Sequence, residues 1–120
     1  MRGRAPYFIH YVRDMQRAIA FYRAAFGAPL TTESPGWSTL GFEGFTLALH
    51  ILSDGHDDRP MPNAGLNLLV DDIEAMQQHI EAAGGRLSEL REPDDFVPVR
   101  VASFVDSEGN GFELRQEVHD

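Results

Sequence analysis

The stretch Phe8–Gly27, FIHYVRDMQRAIAFYRAAFG, and the stretch Leu66–Gly85, LNLLVDDIEAMQQHIEAAGG, repeat one pattern at a constant offset of 58 residues. Val12 falls on Val70, Asp14 on Asp72, Met15 on Ile73, Ala24 on Ala82, Ala25 on Ala83 and Gly27 on Gly85. Each copy reads as an apolar strand, an Asp able to accept from the free N–H groups at a helix start, about three turns of helix, and a Gly stop. Met15, Ile19, Tyr22 and Phe26 recur at helical spacing in the first copy, and Ile73, Met76, Ile80 and Ala83 in the second. Both stripes are read as core.

Working outward, shorter strand-like runs follow each helix. In the first copy they are Ser38–Phe42, the Glu43-Gly44 turn and Phe45–Leu52. In the second they are Arg86–Leu90, Pro98–Val105, the turn Asp106-Ser107-Glu108-Gly109-Asn110-Gly111, and Phe112–Gln116. The last strands also superpose, now at an offset of 65, with Gly44 on Gly109, Leu47 on Phe112, Ala48 on Glu113, Leu49 on Leu114 and His50 on Arg115. The chain is therefore expected to be one domain over 1–120, with β-α-β-β-β modules at 6–52 and 64–117 joined by a Gly-, Asp- and Pro-rich linker at 53–63. A module of about 55 residues buries too little surface to stand alone, so pairing the two is the natural way to cover their apolar faces.

Composition narrows the chemistry. The 120 residues contain no cysteine and no lysine, which excludes a disulfide framework, a thiolate nucleophile, Cys-ligated metal, a Schiff base and a Walker-type phosphate lysine. The net charge of −9 is uneven, with a local +4 over residues 1–23 and −13 beyond, a balance that argues against nucleic acid as a partner. No apolar run is long enough to span a bilayer and no signal-type core is present, so a cytoplasmic protein without membrane contact is expected. HExxH, GxSxG and GxGxxG are absent, and Asp54-Gly55-His56-Asp57-Asp58 lacks calcium-loop spacing.

The stretches Tyr11-Val12-Arg13-Asp14-Met15, Ala20-Phe21-Tyr22 and Phe26-Gly27, with Val70-Asp71-Asp72-Ile73, Ala82-Ala83-Gly84-Gly85 and Asp106-Ser107-Glu108-Gly109-Asn110, resemble the vicinal oxygen chelate superfamily. That superfamily includes glyoxalase I, bleomycin-resistance binding proteins, extradiol dioxygenases and fosfomycin-modifying transferases. The resemblance implies an α+β fold of two βαβββ modules whose eight strands curl into a cup-shaped half-barrel, usually in a homodimer. It also implies four metal-ligand positions on the concave face, which fall here on Tyr7, Ala48, Gly65 and Glu113. Only Glu113 suits a divalent ion, because Ala48 and Gly65 offer no side-chain donor and a phenol is a poor partner for a single carboxylate. No cofactor is therefore expected. An irregular divalent metal centre on His50 and Glu113, with His10 or Tyr7, is the competing arrangement.

Strand alternation places Tyr7, Ile9 and Tyr11, Thr46, Ala48 and His50, Asn67 and Leu69, and Glu113 and Arg115 on the inner face, and His10 beneath the helices as a satisfied histidine. Tyr7, Tyr11, His50, Asn67, Glu113 and Arg115, together with Trp37, are the candidate ligand-binding residues, since rings supply area and a few polar groups set orientation. Trp37, after Ser34-Pro35-Gly36, either flanks the cup mouth or anchors a loop. Glu113 either ion-pairs with Arg115 or Arg100 or serves the ligand, as a catalytic base if turnover occurs. Three functions compete: a metal-independent small-molecule-binding protein, a metal-dependent lyase, isomerase or dioxygenase of the glyoxalase type, and a non-catalytic interaction module.

Overall fold

Asp14 and Asp72 begin the two helices as their spacing requires. Each sits in extended backbone, and its carboxylate accepts from the amide three residues on, Arg17 N at 3.0 Å and Ala75 N at 3.1 Å. A computed structural model describes residues 2, 4, 5, 7–52, 65–95 and 97–118. The linker 53–63 with its Asp54–Asp58 run, module ends 6 and 64, and His119 fall outside the described residues.

The elements run β1 (Tyr7–Val12), α1 (Met15–Phe26), β2 (Leu30–Thr32), β3 (Trp37–Phe42), β4 (Phe45–Ile51), β5 (Asn67–Leu69), α2 (Ile73–Ala82), β6 (Arg86–Arg91), β7 (Arg100–Val105) and β8 (Gly111–Gln116). The βαβββ order thus occurs twice. The strands form two four-stranded sheets, ordered β1-β4-β3-β2 and β5-β8-β7-β6, with no closed barrel. β1 pairs with β4 and β5 with β8 in parallel, while the other neighbours are antiparallel. Register obeys both repeat offsets: Ile9 lies opposite Ala48, and its counterpart Asn67 opposite Glu113.

One strand is additional to the sequence reading, and several strand ends shift by one or two residues. β2 was not read, because it is only three residues long, exposed, and paired through an irregularity between Leu30 and Thr32. β7 starts at Arg100 rather than Pro98, since proline has no N–H for a ladder. The fifth strand shortens to Asn67–Leu69.

α1 and α2 cover the same side of the sheets. Met15, Ala18, Ile19, Phe21, Tyr22 and Ala25 of α1 and Ile73 and Ile80 of α2 are buried, in one cluster with Val12, Leu47, Leu49, Ala102, Phe104, Phe112 and Leu114. Phe26, Met76 and Ala83 complete the stripes but are only partly buried. Each fully buried phenylalanine of this cluster, such as Phe21 or Phe112, stabilises by about 1.5–3 kcal/mol through removal from water. No helix among the described residues is long and apolar enough to cross a membrane.

The β7–β8 turn ties the second module to the first. Glu108 accepts from the backbone N–H groups of Arg13 (3.1 Å) and Asp14 (2.9 Å) at the start of α1, and from the Arg17 guanidinium at 2.5 Å. Asn110 Nδ2 donates to the Tyr11 carbonyl at 2.9 Å. Asp106 accepts from the Tyr22 hydroxyl at 2.6 Å and from the Glu108 and Asn110 amides at 2.8 Å each. We refer to this set as the clasp.

Candidate functional site

Pairing across β1, β4 and β3 arranges the first sheet's outer face in rows. Tyr11, His50 and Trp37 form one row; Ile9, Ala48 and Thr39 the next; Tyr7, Thr46 and Gly41 the third. These residues point away from the helices, as alternation requires, and Tyr7, Ile9 and Tyr11 remain substantially exposed. Tyr11 and His50 ring centres are 5.2 Å apart, Trp37 meets His50 edge-on at 6.0 Å, and Tyr7 meets Trp37 at 6.1 Å. The sequence candidates Tyr7, Tyr11, Trp37 and His50 therefore stand together as one aromatic wall. Trp37 is the first residue of β3, opposite His50, with its ring beside those of Tyr7 and His50. His50 Nδ1 donates to the Ile51 carbonyl at 2.7 Å, leaving Nε2 as an outward acceptor.

Ala48 lies between the Tyr7 and Trp37 rows and is fully buried although it belongs to the open face. The rings anchored on either side of it meet above, and Thr39, beside it, is also buried, its hydroxyl shared with Thr31 and Thr32 at 2.6 Å each. This metal-ligand position of the resemblance is both without a donor and roofed over.

On the second sheet Asn67, Glu113 and Ser103 form one row, and Leu69, Arg115 and Val101 the next. Arg115 donates to Asn67 Oδ1 at 2.7 Å, Asn67 Nδ2 donates to Glu113 Oε1 at 3.2 Å, and Glu113 Oε2 lies 3.7 Å from Arg91. The candidates Asn67, Glu113 and Arg115 are thus joined in one polar chain that ends on Arg91, a residue the sequence reading missed. The strand read as Arg86–Leu90 stops one residue short of it, and only the pairing of β6 with β7 brings Arg91 beside Val101 on this face. Neither expected partner of Glu113 pairs with it: Arg115 turns to Asn67, and Arg100 is held by Glu74 at 2.8 Å and Glu92 at 3.0 Å.

No group of three or more His, Asp or Glu side chains arranged to hold a metal occurs among the described residues. His10, the other proposed donor, is fully buried under α1, with Nδ1 2.9 Å from Tyr22 Oη and 3.6 Å from Asp106. It was expected to be satisfied, and it is so on one side only, because its Nε2 is buried without a partner. Burial, and then the adjacent Asp106 carboxylate, push the Tyr22 phenol well above its ordinary range. Burial also opposes ionisation of Asp106, yet the neighbouring His10 ring and the hydrogen bonds from Tyr22 and the Asn110 and Glu108 amides hold that carboxyl below its ordinary value.

A family model described as "Glyoxalase/Bleomycin resistance protein/Dioxygenase superfamily" matches residues 4–114. No curated protein matches. Among solved structures, a glyoxalase/bleomycin resistance protein/dioxygenase family enzyme from Burkholderia phytofirmans PsJN is similar at 18% identity and TM-score 0.80, covering 97% of this chain and 100% of its own. The fosfomycin resistance protein FosX from Listeria monocytogenes, solved with Mn(II) and 1S,2S-dihydroxypropylphosphonic acid, is 17% identical with TM-score 0.76, over 98% of this chain and 92% of that one. Lactoylglutathione lyase from Agrobacterium tumefaciens is 17% identical with TM-score 0.73, over 97% and 95%. At such identities the likeness is one of fold.

Proposed function

This chain belongs to the glyoxalase/bleomycin resistance protein/dioxygenase superfamily, and from that membership we propose that its concave strand face binds a small molecule without a four-ligand metal centre. The observation that carries this reading is Ala48, donorless and covered where a metal ligand would stand, next to an exposed aromatic wall. The metal ion that the family implies does not fit the residues present. Of the four positions, one holds a phenol tilted against Trp37, two have no side-chain donor, and the carboxylate of Glu113 is already engaged by Asn67 and Arg91.

In this reading Tyr7, Tyr11 and Trp37 supply flat apolar area, and His50 Nε2 offers one acceptor to the ligand. Asn67, Glu113 and Arg115 form the polar wall, with Glu113 orienting Asn67 rather than acting as a base. The half-exposed Tyr7, Ile9, Tyr11 and Leu69 would stay wet in a lone chain, which supports a homodimer that shelters them.

Elemental analysis of tag-free protein after dialysis against zinc, nickel, manganese and iron should find no stoichiometric metal. Near-stoichiometric metal that disappears in Glu113→Ala would overturn the proposal and favour glyoxalase-type chemistry. Because Trp37 is the only tryptophan, its fluorescence reports the concave face directly. Aromatic ligands should quench it saturably, and Tyr7→Ala should weaken that binding by about tenfold, the loss of one aromatic contact with its buried area.

A further inference from the structure

The sequence repeat relates two junctions between the modules, and only one of them is clasped. At the offset of 65, Asp106, Glu108 and Asn110 correspond to Gly41, Glu43 and Phe45; at the offset of 58, Arg17 and Tyr22 correspond to Ala75 and Ile80. Every partner in the clasp except the glutamate has lost its polar group in the second junction. The glutamate that remains, Glu43, pairs with no guanidinium among the described residues, and Ala75 stands where Arg17 does in the clasp.

Where the second clasp would sit there is instead a groove of about 840 Å³, lined by Phe26, Phe42, Phe45, Leu69, Val70 and Met76. Its polar groups are Asn67, Arg115 and His79, with Glu43 on the turn. The backbone of β5 also faces it. In parallel pairing a residue directs both its N–H and its C=O to the same neighbour. Val70 N donates to Arg115 O and Glu113 N to Leu66 O, so these even-numbered positions serve β8 and the main chain of Asn67 and Leu69 is turned outward. The Leu69 carbonyl is the counterpart of the Tyr11 carbonyl, which Asn110 caps in the closed junction.

Charge selects the occupant. Arg17 faces Glu108, Arg91 faces Glu113, and Arg100 faces Glu74 and Glu92. The Arg115 guanidinium donates to Asn67 alone, and no carboxylate pairs with it among the described residues. We infer that the open junction is a second binding site, for a flat apolar molecule carrying one anionic group, with the anion on Arg115 and the apolar body against Phe26, Phe42, Phe45 and Met76. The volume and the mostly apolar lining suit a small-molecule pocket, and a guanidinium lacking its own carboxylate is the group to receive a carboxylate or sulfonate. The site adjoins the concave face through Asn67, Leu69 and Arg115. It shares Asn67 and Arg115 with the polar wall of that face, and what sets it apart is an apolar floor in the helix layer.

The test is a titration of full-length protein carrying ¹³C-methyl methionine with 2-naphthoate, alongside 2-naphthalenemethanol and 2-naphthylmethylammonium. Met76→Leu assigns the Met76 resonance. The Met76 methyl should shift saturably with naphthoate while that of Met15, buried near the clasped junction, stays in place. The alcohol and the ammonium should bind about tenfold or more weakly, as should naphthoate to Arg115→Gln, the loss of one charged hydrogen bond. Glu43→Gln should tighten naphthoate binding. The inference is overturned if Met76 is unmoved at millimolar naphthoate, or if all three head groups bind alike to the wild-type protein. Trp37 fluorescence, followed in the same titration, separates the two sites: a Trp37 response without a Met76 response removes this groove and leaves the concave face, and the reverse removes the concave face instead.

Discussion

Asp106 accepts four hydrogen bonds, from the Tyr22 hydroxyl, the backbone amides of Glu108 and Asn110, and at 3.3 Å the Asn110 side-chain amide. Removing the acceptor strands the first three, at about 1–3 kcal/mol each, whereas removing one donor costs about 1 kcal/mol. Asp106→Ala should therefore lower stability by about 3 kcal/mol or more, and Tyr22→Phe by about 1 kcal/mol, measured as urea midpoints at neutral pH. Equal losses would mean that Asp106 serves Tyr22 alone. The same network fixes a tautomer. Because Tyr22 donates to Asp106, its oxygen must accept from His10 Nδ1–H, so the bare nitrogen is Nε2, and ¹⁵N shifts of the imidazole should report it. For the pH dependence, the folded Asp106 and Glu108 carboxyls are both held below their ordinary values. The unfolded chain then binds more protons in acid, so their contribution is complete above the unfolded carboxylate range and is lost as pH falls from there through the lower folded values. Wild-type stability should decline below about pH 4.5, and Asp106→Ala should flatten that decline; an unchanged slope would remove Asp106 from the acid response. None of this partnership was legible from spacing, because Asp106 and Tyr22 are 84 residues apart and the turn signal explains Asp106 without any partner.

The two helices share a start and differ in how they stop. Gly27 ends α1 in left-handed backbone, φ 67°, with its N–H on the Arg23 carbonyl and open space where a Cβ would be. Gly85 occupies the same place in the repeat for another reason. A Cβ there would lie 2.7 Å from Ile80, 2.8 Å from the Val105 carbonyl and 2.9 Å from Phe21. Gly27→Ala should thus cost about 1 kcal/mol through backbone strain, and Gly85→Ala about 1–3 kcal/mol by overpacking the seam between α2, β7 and α1. Thermal unfolding checks both; a tolerated Gly85→Ala would mean that α1 does not bear on this seam. The helices, their Asp caps and the inward or outward sense of β1, β4 and β8 were legible, since each depends on residues within one or two turns or pleats. The short exposed β2 was not, because three residues carry no alternation and its bonds come from β3.

At the scale of the molecule the open question is how the exposed apolar face is sheltered. Tyr7, Ile9, Tyr11 and Leu69 are between 41% and 53% exposed, and the proposed homodimer would shelter them. Sedimentation equilibrium at micromolar concentration should give the mass of two chains, and Ile9→Glu should shift it toward one; a wild-type monomer would remove the dimer from the proposal. By itself the sequence determined the repeat, the βαβββ order, the helix starts and which strand residues leave the helix side. Caps, hydrophobic periodicity and pleat parity all act between near neighbours. Only the tertiary structure decided that Arg91 rather than Arg115 or Arg100 holds Glu113, that Tyr7 and Trp37 close over Ala48, that His10 keeps a bare nitrogen, and that one junction is clasped and its counterpart open. These outcomes depend on the register and curvature that bring separate strands together, and on the packing of side chains tens of residues apart, which no local pattern encodes.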